Sequence, residues 1–421
     1  MEILAVIGLG YVGIPLSVLF SNHYKVIGYD INKQRVDELQ KGIDATQSVA
    51  LDTLHAVLKL NEEDWQSSNK GLKLVHEIGA IQEATTYIIT VPTPDDEAHC
   101  LDMTLLESAC RQVASVLERG NLVIIESTVY PGVTENICIP ILEQGSGLKL
   151  NQDFGVNPGD TVNTIDTIVK LTSGSDANTA QRVKALYQRI ISAGVHDTGT
   201  IQVAEASKLV ENAQRDVNVA FVNEIAQICN AAQISTQAVL KAAATKWNFL
   251  PFKPGLVGGH CVGVASSYLM QLSSKYDYKA QLLQVSRNIN NGMSTYIVQE
   301  IISLMVQRGI QIYDSEVLLM GVTFKENCPD LRNSKVIEMV ALFKKQGVNI
   351  TILDPMVDEE SVSGLLAVPV YNALPNKEYD VIVLTVAHEA FKNINVLPYK
   401  KENAIIYDIK GVINAGVDKS L

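Results

Sequence analysis

Cysteine is scarce and scattered. The 421 residues hold six, Cys100, Cys110, Cys138, Cys229, Cys261 and Cys328. No two stand in C-x-x-C spacing, and no Cys/His cluster has the spacing of a zinc site, so no metal is expected. Few, scattered thiols in a long chain suit a reducing compartment, the cytoplasm. Charge is also sparse. Asp, Glu, Lys and Arg make up 19%, too little for a disordered chain. The balance is acidic, with a net charge of −12. That repels phosphate backbones and argues against nucleic acid as a partner. No later stretch reaches 18 apolar residues, so no membrane span is expected. Short-period repeats, low-complexity segments and long linkers are lacking too.

What is present is apolar and periodic. Hydrophobic residues make up 47% of the chain, and its length suits two or three domains. The first 20 residues are nearly all apolar. They lack the basic flank of a signal peptide, because Glu2 is the only early charge. Residues 2–7 read as a buried strand, 11–22 as a helix and 25–30 as a second strand, a βαβ unit. Further strands are expected at 87–91, 122–126 and 168–173, with a helix over 104–118. From 201 to 232 runs one long helix or two in line. Helical patterns continue over 234–245 and 279–306. Strands return at 316–321, 349–353, 381–385 and 404–407, with a helix over 334–346. The expected fold is α/β: two doubly wound Rossmann-like domains joined by a central all-α region with a long helix.

Gly8-Leu9-Gly10-Tyr11-Val12-Gly13 matches GxGxxG between the first strand and its helix. The first glycine permits a tight turn, the second lets a pyrophosphate approach, and the third allows close helix–strand packing. Asp30 ends the second strand and suits the ribose hydroxyls. Its charge opposes the extra phosphate of NADP, so NAD is the expected cofactor. Arg35 lies near enough to soften that preference. Thr90-Val91-Pro92-Thr93-Pro94 and Glu126-Ser127-Thr128 follow the next two strands, where loops line the ligand crevice.

The stretch from Phe249 to Gly263 packs glycines and prolines, among them Gly255, Gly258 and Gly259, around His260 and Cys261. A thiol at a helix start has its thiolate stabilised by N–H groups and the helix dipole, which suits a nucleophile. A buried structural cysteine is the other reading. Lys208 and Asn212 stand i, i+4 on the long helix and share a face. Together they suit an oxyanion, or simply a solvated surface. Lys325 and Arg332 follow the first C-terminal strand. They suit a phosphate there, or are plain surface charge.

Together these pieces resemble the UDP-glucose/GDP-mannose dehydrogenase family, across essentially the whole chain. The branch oxidising UDP-N-acetylhexosamines at C6 is the most similar. The resemblance rests on GLGYVGIPL, TVPTP, ESTVYPG, VAEASKLVENAQRDVN, KWNFLPFKPGLVGGHC and FKENCPDLRNSK. It implies an NAD-binding domain (1–198), a central helical dimerisation region (199–305) and a UDP-sugar-binding domain (306–421). It implies a homodimer acting in surface polysaccharide precursor synthesis. It implies two hydride transfers to NAD, with Cys261 carrying a thiohemiacetal and then a thioester. Lys208, Asn212 and Thr128 take catalytic places. Gly8, Tyr11, Val12, Asp30, Arg35, Thr93, Thr128 and Arg332 take the cofactor. Lys208, Asn212, Phe252, Gly255, Gly258 and Lys325 take the substrate. UDP-N-acetylglucosamine is the expected substrate, with UDP-N-acetylmannosamine or UDP-glucose as alternatives.

Two departures from the family pattern bear on catalysis. Ala265 stands where the family motif carries Asp. A segment containing Ser-Pro-Glu-Arg is missing before Asn157-Pro158-Gly159-Asp160. A well-placed carboxylate is worth roughly 10²–10⁴-fold in acid–base steps. Three outcomes stand: a full dehydrogenase, a form stopping at the aldehyde or thioester, and an impaired relative that binds both ligands. Asp160 and Glu126 are the candidate substitutes for the lost base.

Overall fold

The computed structural model describes residues 2–94, 102–158, 167–259, 262–413 and 415–421. They form two compact units, Met1–Val210 and Glu211–Leu421.

The first unit is built on strands β1 (Ile3–Ile7), β2 (Lys25–Tyr29), β3 (Gly71–Val75), β4 (Thr86–Ile89), β5 (Leu122–Ile125) and β6 (Gly155–Pro158). They pair in parallel in the order β3-β2-β1-β4-β5-β6. The central strands are short aliphatic runs buried on both faces, the pattern of a parallel sheet covered by helices. One core joins Ile7, Ile89 and Ile125 with Cys110 and Cys138. The other joins Leu4 and Val6 with Ile14, Phe20 and Tyr187.

The strand expected over 168–173 is shorter and placed differently. Lys170–Thr172 (β7) pairs only with Val195–Asp197 (β8), in a separate two-stranded sheet. The sixth place in the main sheet belongs to β6, paired with β5. Four residues beginning with glycine and ending with proline carry little strand signal of their own.

The second unit repeats this plan. Strands β9 (Glu316–Met320), β10 (Asn349–Leu353), β11 (Val370–Tyr371), β12 (Tyr379–Leu384), β13 (Lys400–Asp408) and β14 (Lys419–Ser420) pair in the order β11-β10-β9-β12-β13-β14. Helices Thr236–Ala243, Val262–Ser274 and Gln281–Gln307 precede the sheet. The long helix is single and unbroken, Ile201–Ala231, and contributes to both units.

The two sheets share a hydrogen-bond frame. Gly8 N–H donates to Tyr29 O, and Gly321 N–H to Leu353 O, both at 2.8 Å. Thr90 closes the first frame through its N–H to Ile7 O, and Thr385 the second through its N–H to Met320 O. Asp30 Oδ2 accepts from Leu9 N–H at 2.8 Å, and Asp354 Oδ2 from Val322 N–H at 2.7 Å. Both sheets thus have a crevice at the C-terminal ends of β1/β4 and β9/β12, where the strand order reverses.

Candidate active site

The glycine turn fits a dinucleotide. Gly8 has φ +93°, and a Cβ on Gly13 would stand 1.8 Å from Gly8 O. No atom comes within 4 Å of a Cβ built on Gly10, so its backbone is open to a pyrophosphate. Tyr11 is exposed and Val12 partly so at the start of helix Gly13–Ser21. Asp30 accepts one backbone N–H on each oxygen, from Leu9 and Asn32. A carboxylate offers about four acceptor sites, so two remain for ribose hydroxyls. Arg35 is fixed by Nε to Leu9 O and Nη2 to Asp44 Oδ1, while Nη1 is buried with no partner. An open turn and an acid with capacity left suit an adenosine-containing cofactor.

The neighbouring loops are braced together. Thr93 Oγ1 donates to Thr128 O at 2.7 Å, and Ser127 Oγ to Val91 O at 2.6 Å. Glu205, on the long helix, accepts from Gly132 N–H and Thr134 N–H, at 2.7 and 3.1 Å. Burial raises its pKa, against those hydrogen bonds. Glu205 thereby ties the Thr128 loop to the helix that carries Lys208. Sequence reading missed it, although it lies three residues from Lys208. The segment after Gly132 includes one π-helical turn, Thr134–Cys138, a geometry frequent at functional sites.

Glu126 cannot serve as a free base. Its side chain is fully buried. Both oxygens accept from Lys170 Nζ, at 2.8 and 2.7 Å, and Oε1 also accepts from Tyr187 OH. Asp160 lies outside the described residues.

Asn212 is buried and Lys208 partly so, which removes the solvated-surface reading of that helix face. One turn further, Asp216 is fully buried. Its Oδ1 accepts from Arg287 Nη1 and Asn290 Nδ2, and its Oδ2 from Ser266 Oγ, each at 2.7 Å. Asn290 Oδ1 accepts from Asn223, which also pairs with Gly255 through both backbone groups. The network therefore grips the glycine-rich segment at Gly255 and the following helix, Val262–Ser274, at Ser266. His260 and Cys261 lie between, outside the described residues. Ala265 is 1% exposed and supplies no carboxylate.

The glycine pair packs on the loop after β9. A Cβ on Gly258 would stand 2.6 Å from Asn333 O, and one on Gly259 2.7 Å from the Phe324 ring. A shallow cleft lies there, lined by Leu256, Gly258, Phe324, Lys325, Lys335 and Lys410 among others. Lys325 is exposed, with Nζ over the Phe324 ring. Phe252 is half-buried nearby in sequence. Arg332 holds Asp330 through Nε and Nη2, at 2.6 to 3.1 Å. Lys410 went unnoticed in the sequence. Burial lowers its pKa, Lys253 adds to this, and Glu326 opposes it. Its signal was the one used for Lys325, a cation just past a strand's C-terminal end. Three lysines around one cleft suit a diphosphate.

Asp354 is the counterpart of Asp30 but is closed off. Its side chain is fully buried, and Oδ2 also meets His388 Nε2 at 3.2 Å. His388 Nδ1 accepts from Asn327 N–H at 2.9 Å, so the ring proton sits on Nε2. Burial would raise the Asp354 pKa. Hydrogen bonds from His388, Val322 and Met356 outweigh it and hold it below the usual range.

Known proteins share this layout. Residues 1–191, 202–292 and 318–415 match the UDP-glucose/GDP-mannose dehydrogenase family: its NAD binding domain, its central domain and its UDP binding domain. UDP-N-acetyl-D-glucosamine 6-dehydrogenase from Pseudomonas aeruginosa is 43% identical over 426 residues, covering 99% of this chain and 98% of its own. The enzyme of that name from Salmonella typhi is 43% identical, covering 98% and 96%. The structure of UDP-D-ManNAc dehydrogenase from Pyrococcus horikoshii superposes with a TM-score of 0.85 at 25% identity, covering 100% and 98%. The open glycine turn with its acid, the lysine-lined cleft of the second sheet and these three matches in order lead to one conclusion: the chain belongs to the UDP-glucose/GDP-mannose dehydrogenase family, a family of NAD-dependent oxidoreductases.

Proposed function

We propose that the chain oxidises C6 of UDP-N-acetylglucosamine to the carboxylate. The 43% identity to the P. aeruginosa UDP-N-acetyl-D-glucosamine 6-dehydrogenase, over nearly the full length of both, carries this reading. Gly8, Tyr11, Val12, Asp30, Arg35, Thr93, Thr128 and Arg332 would hold NAD, which would supply the hydride acceptor for two successive oxidations at C6. Lys208 and Asn212 hold the C6 oxygen and stabilise its developing charge. Thr128 orders the water beside it. The first oxidation turns the alcohol into an aldehyde and releases one proton. The Cys261 thiolate adds to the aldehyde carbon, and the oxygen takes up a proton to give a thiohemiacetal. The second oxidation yields a thioester. Water then breaks the C–S bond, freeing the uronic acid and the thiol. Phe252, Gly255, Gly258 and Lys325 hold the substrate, and we add Lys410 as a diphosphate contact.

Buried Ala265 and the engaged Glu126 favour a second reading, in which thioester hydrolysis is slow or blocked. One assay separates the two. The protein is incubated with NAD and UDP-N-acetylglucosamine, UDP-N-acetylmannosamine or UDP-glucose, while NADH and mass at Cys261 are followed. Steady NADH with free uronic acid is the expected result. One burst with a stable adduct supports blocked hydrolysis. Ligand binding without any NADH overturns the enzymatic reading, and full activity in Cys261→Ala overturns the nucleophile.

We assign functional domains at 1–198, 199–305 and 306–421, in line with the order of the family matches. We propose a homodimer. Val203, Val210, Phe221 and Ile228 are exposed at whole-turn spacing along the long helix, an apolar stripe that suits a second copy. The buried free thiols Cys110, Cys138, Cys229 and Cys328 support a cytoplasmic setting. There the product would serve surface polysaccharide synthesis.

A further inference from the structure

We propose that Asp44 sets the preference for NAD over NADP, by holding Arg35 where it cannot serve a 2′-phosphate. The two cofactors differ only by that phosphate, on the ribose that Asp30 is placed to hold. An arginine beside the acid is the group that accommodates it. Arg35, five residues after Asp30, is that residue type in that place.

In this chain the guanidinium is already committed. Nε donates to Leu9 O at 3.0 Å and Nη2 to Asp44 Oδ1 at 2.7 Å. The pair is nearly buried, with side chains 12% and 4% exposed. Asp44 is itself held rigidly, because it also accepts from the backbone N–H groups of Thr46, Ser48 and Val49 and from the hydroxyls of Thr46 and Ser48. Burial alone would raise its pKa. The bonds from Thr46 and Arg35 outweigh it, so the carboxylate stays charged at neutral pH.

These bonds reach the cofactor turn directly. Leu9, between Gly8 and Gly10, donates its N–H to Asp30 and accepts from Arg35. Asp30, Leu9, Arg35 and Asp44 are one continuous chain of hydrogen bonds. Two carboxylates against one guanidinium leave it net negative. A dianionic 2′-phosphate would meet that negative charge and a guanidinium with only Nη1 unengaged. NAD brings hydroxyls to the same place and meets no such cost. Without the Asp44 charge the chain is neutral, and Nη2 is released to a phosphate.

The test is isothermal titration of NAD and NADP into wild type, Asp44→Asn, and Asp44→Asn combined with Arg35→Ala. Asparagine keeps the shape and one acceptor oxygen for the 44–49 loop. Asp44→Ser, which also keeps an acceptor, takes its place where the asparagine variant does not fold. Wild type should prefer NAD. The single variant should bind NADP about tenfold more tightly, the scale of one unscreened charge near the surface, with NAD affinity little changed. Adding Arg35→Ala should abolish that gain. Equal shifts for both cofactors would reduce Asp44 to a loop cap and overturn the proposal. So would a gain that survives loss of Arg35, or a wild type that prefers NADP.

Discussion

At the scale of single residues, the chain uses carboxylates in three ways. Asp30 keeps acceptor capacity, Glu126 spends both oxygens, and Asp354 is sealed. Lys170 and Glu126 are 5% and 0% exposed, so removing either partner leaves a buried charge. Lys170→Met should therefore cost about 3–5 kcal/mol of unfolding free energy in urea titrations, far more than a surface pair. For Asp354 the sign of the pH effect is fixed. A carboxylate held below its unfolded value adds stability that is complete above that value, about 3.9. This stability is lost as pH falls through the folded value. The stability gap between wild type and Asp354→Asn should be full at pH 7 and narrow at pH 3, when both are unfolded by urea. Asp30 and its glycines were legible because strand, turn and acid lie within one short stretch. Asp44 was not, because its role comes from a hydrogen-bonded loop that no spacing rule encodes. Lys410 carried a strand-end signal, but only the cleft wall shows what it faces.

At the scale of elements, long periodic segments were read well. The helix Ile201–Ala231 matches the expected 201–232 almost to the residue, and β9, β10 and β12 lie within a residue or two of expectation. The failures were short strands. β3 (GLKLV) and β6 are strands because a neighbour offers its edge, and tertiary pairing of that kind leaves little local signal. The helix after Cys261 is fastened by Ser266 to Asp216, and Asp216 to Arg287. Ser266→Ala removes one donor to a buried carboxylate and should cost about 1–3 kcal/mol. Asp216→Ala strands Arg287 as well, and should cost about 3–5 kcal/mol. Thermal unfolding of both single variants and the double should show strong coupling, with the serine change nearly silent once Asp216 is gone.

At the scale of the whole molecule, the family and the two-sheet plan were legible, because many motifs recur in fixed order. The proposed pairing of copies is less so. Phe221→Asp together with Ile228→Asp should convert a dimer to a monomer in sedimentation velocity. A dimer unaffected by both changes would locate the contact elsewhere. The two sheets repeat one strand order and one backbone frame, yet His388 occupies the acid of the second. That histidine settles a question of stoichiometry. Among the described residues, the two dinucleotide-type crevices offer ribose hydroxyls only one open acid, so NAD should titrate to one equivalent per chain. On the proposed function, substrate and cofactor should then not compete for the same half.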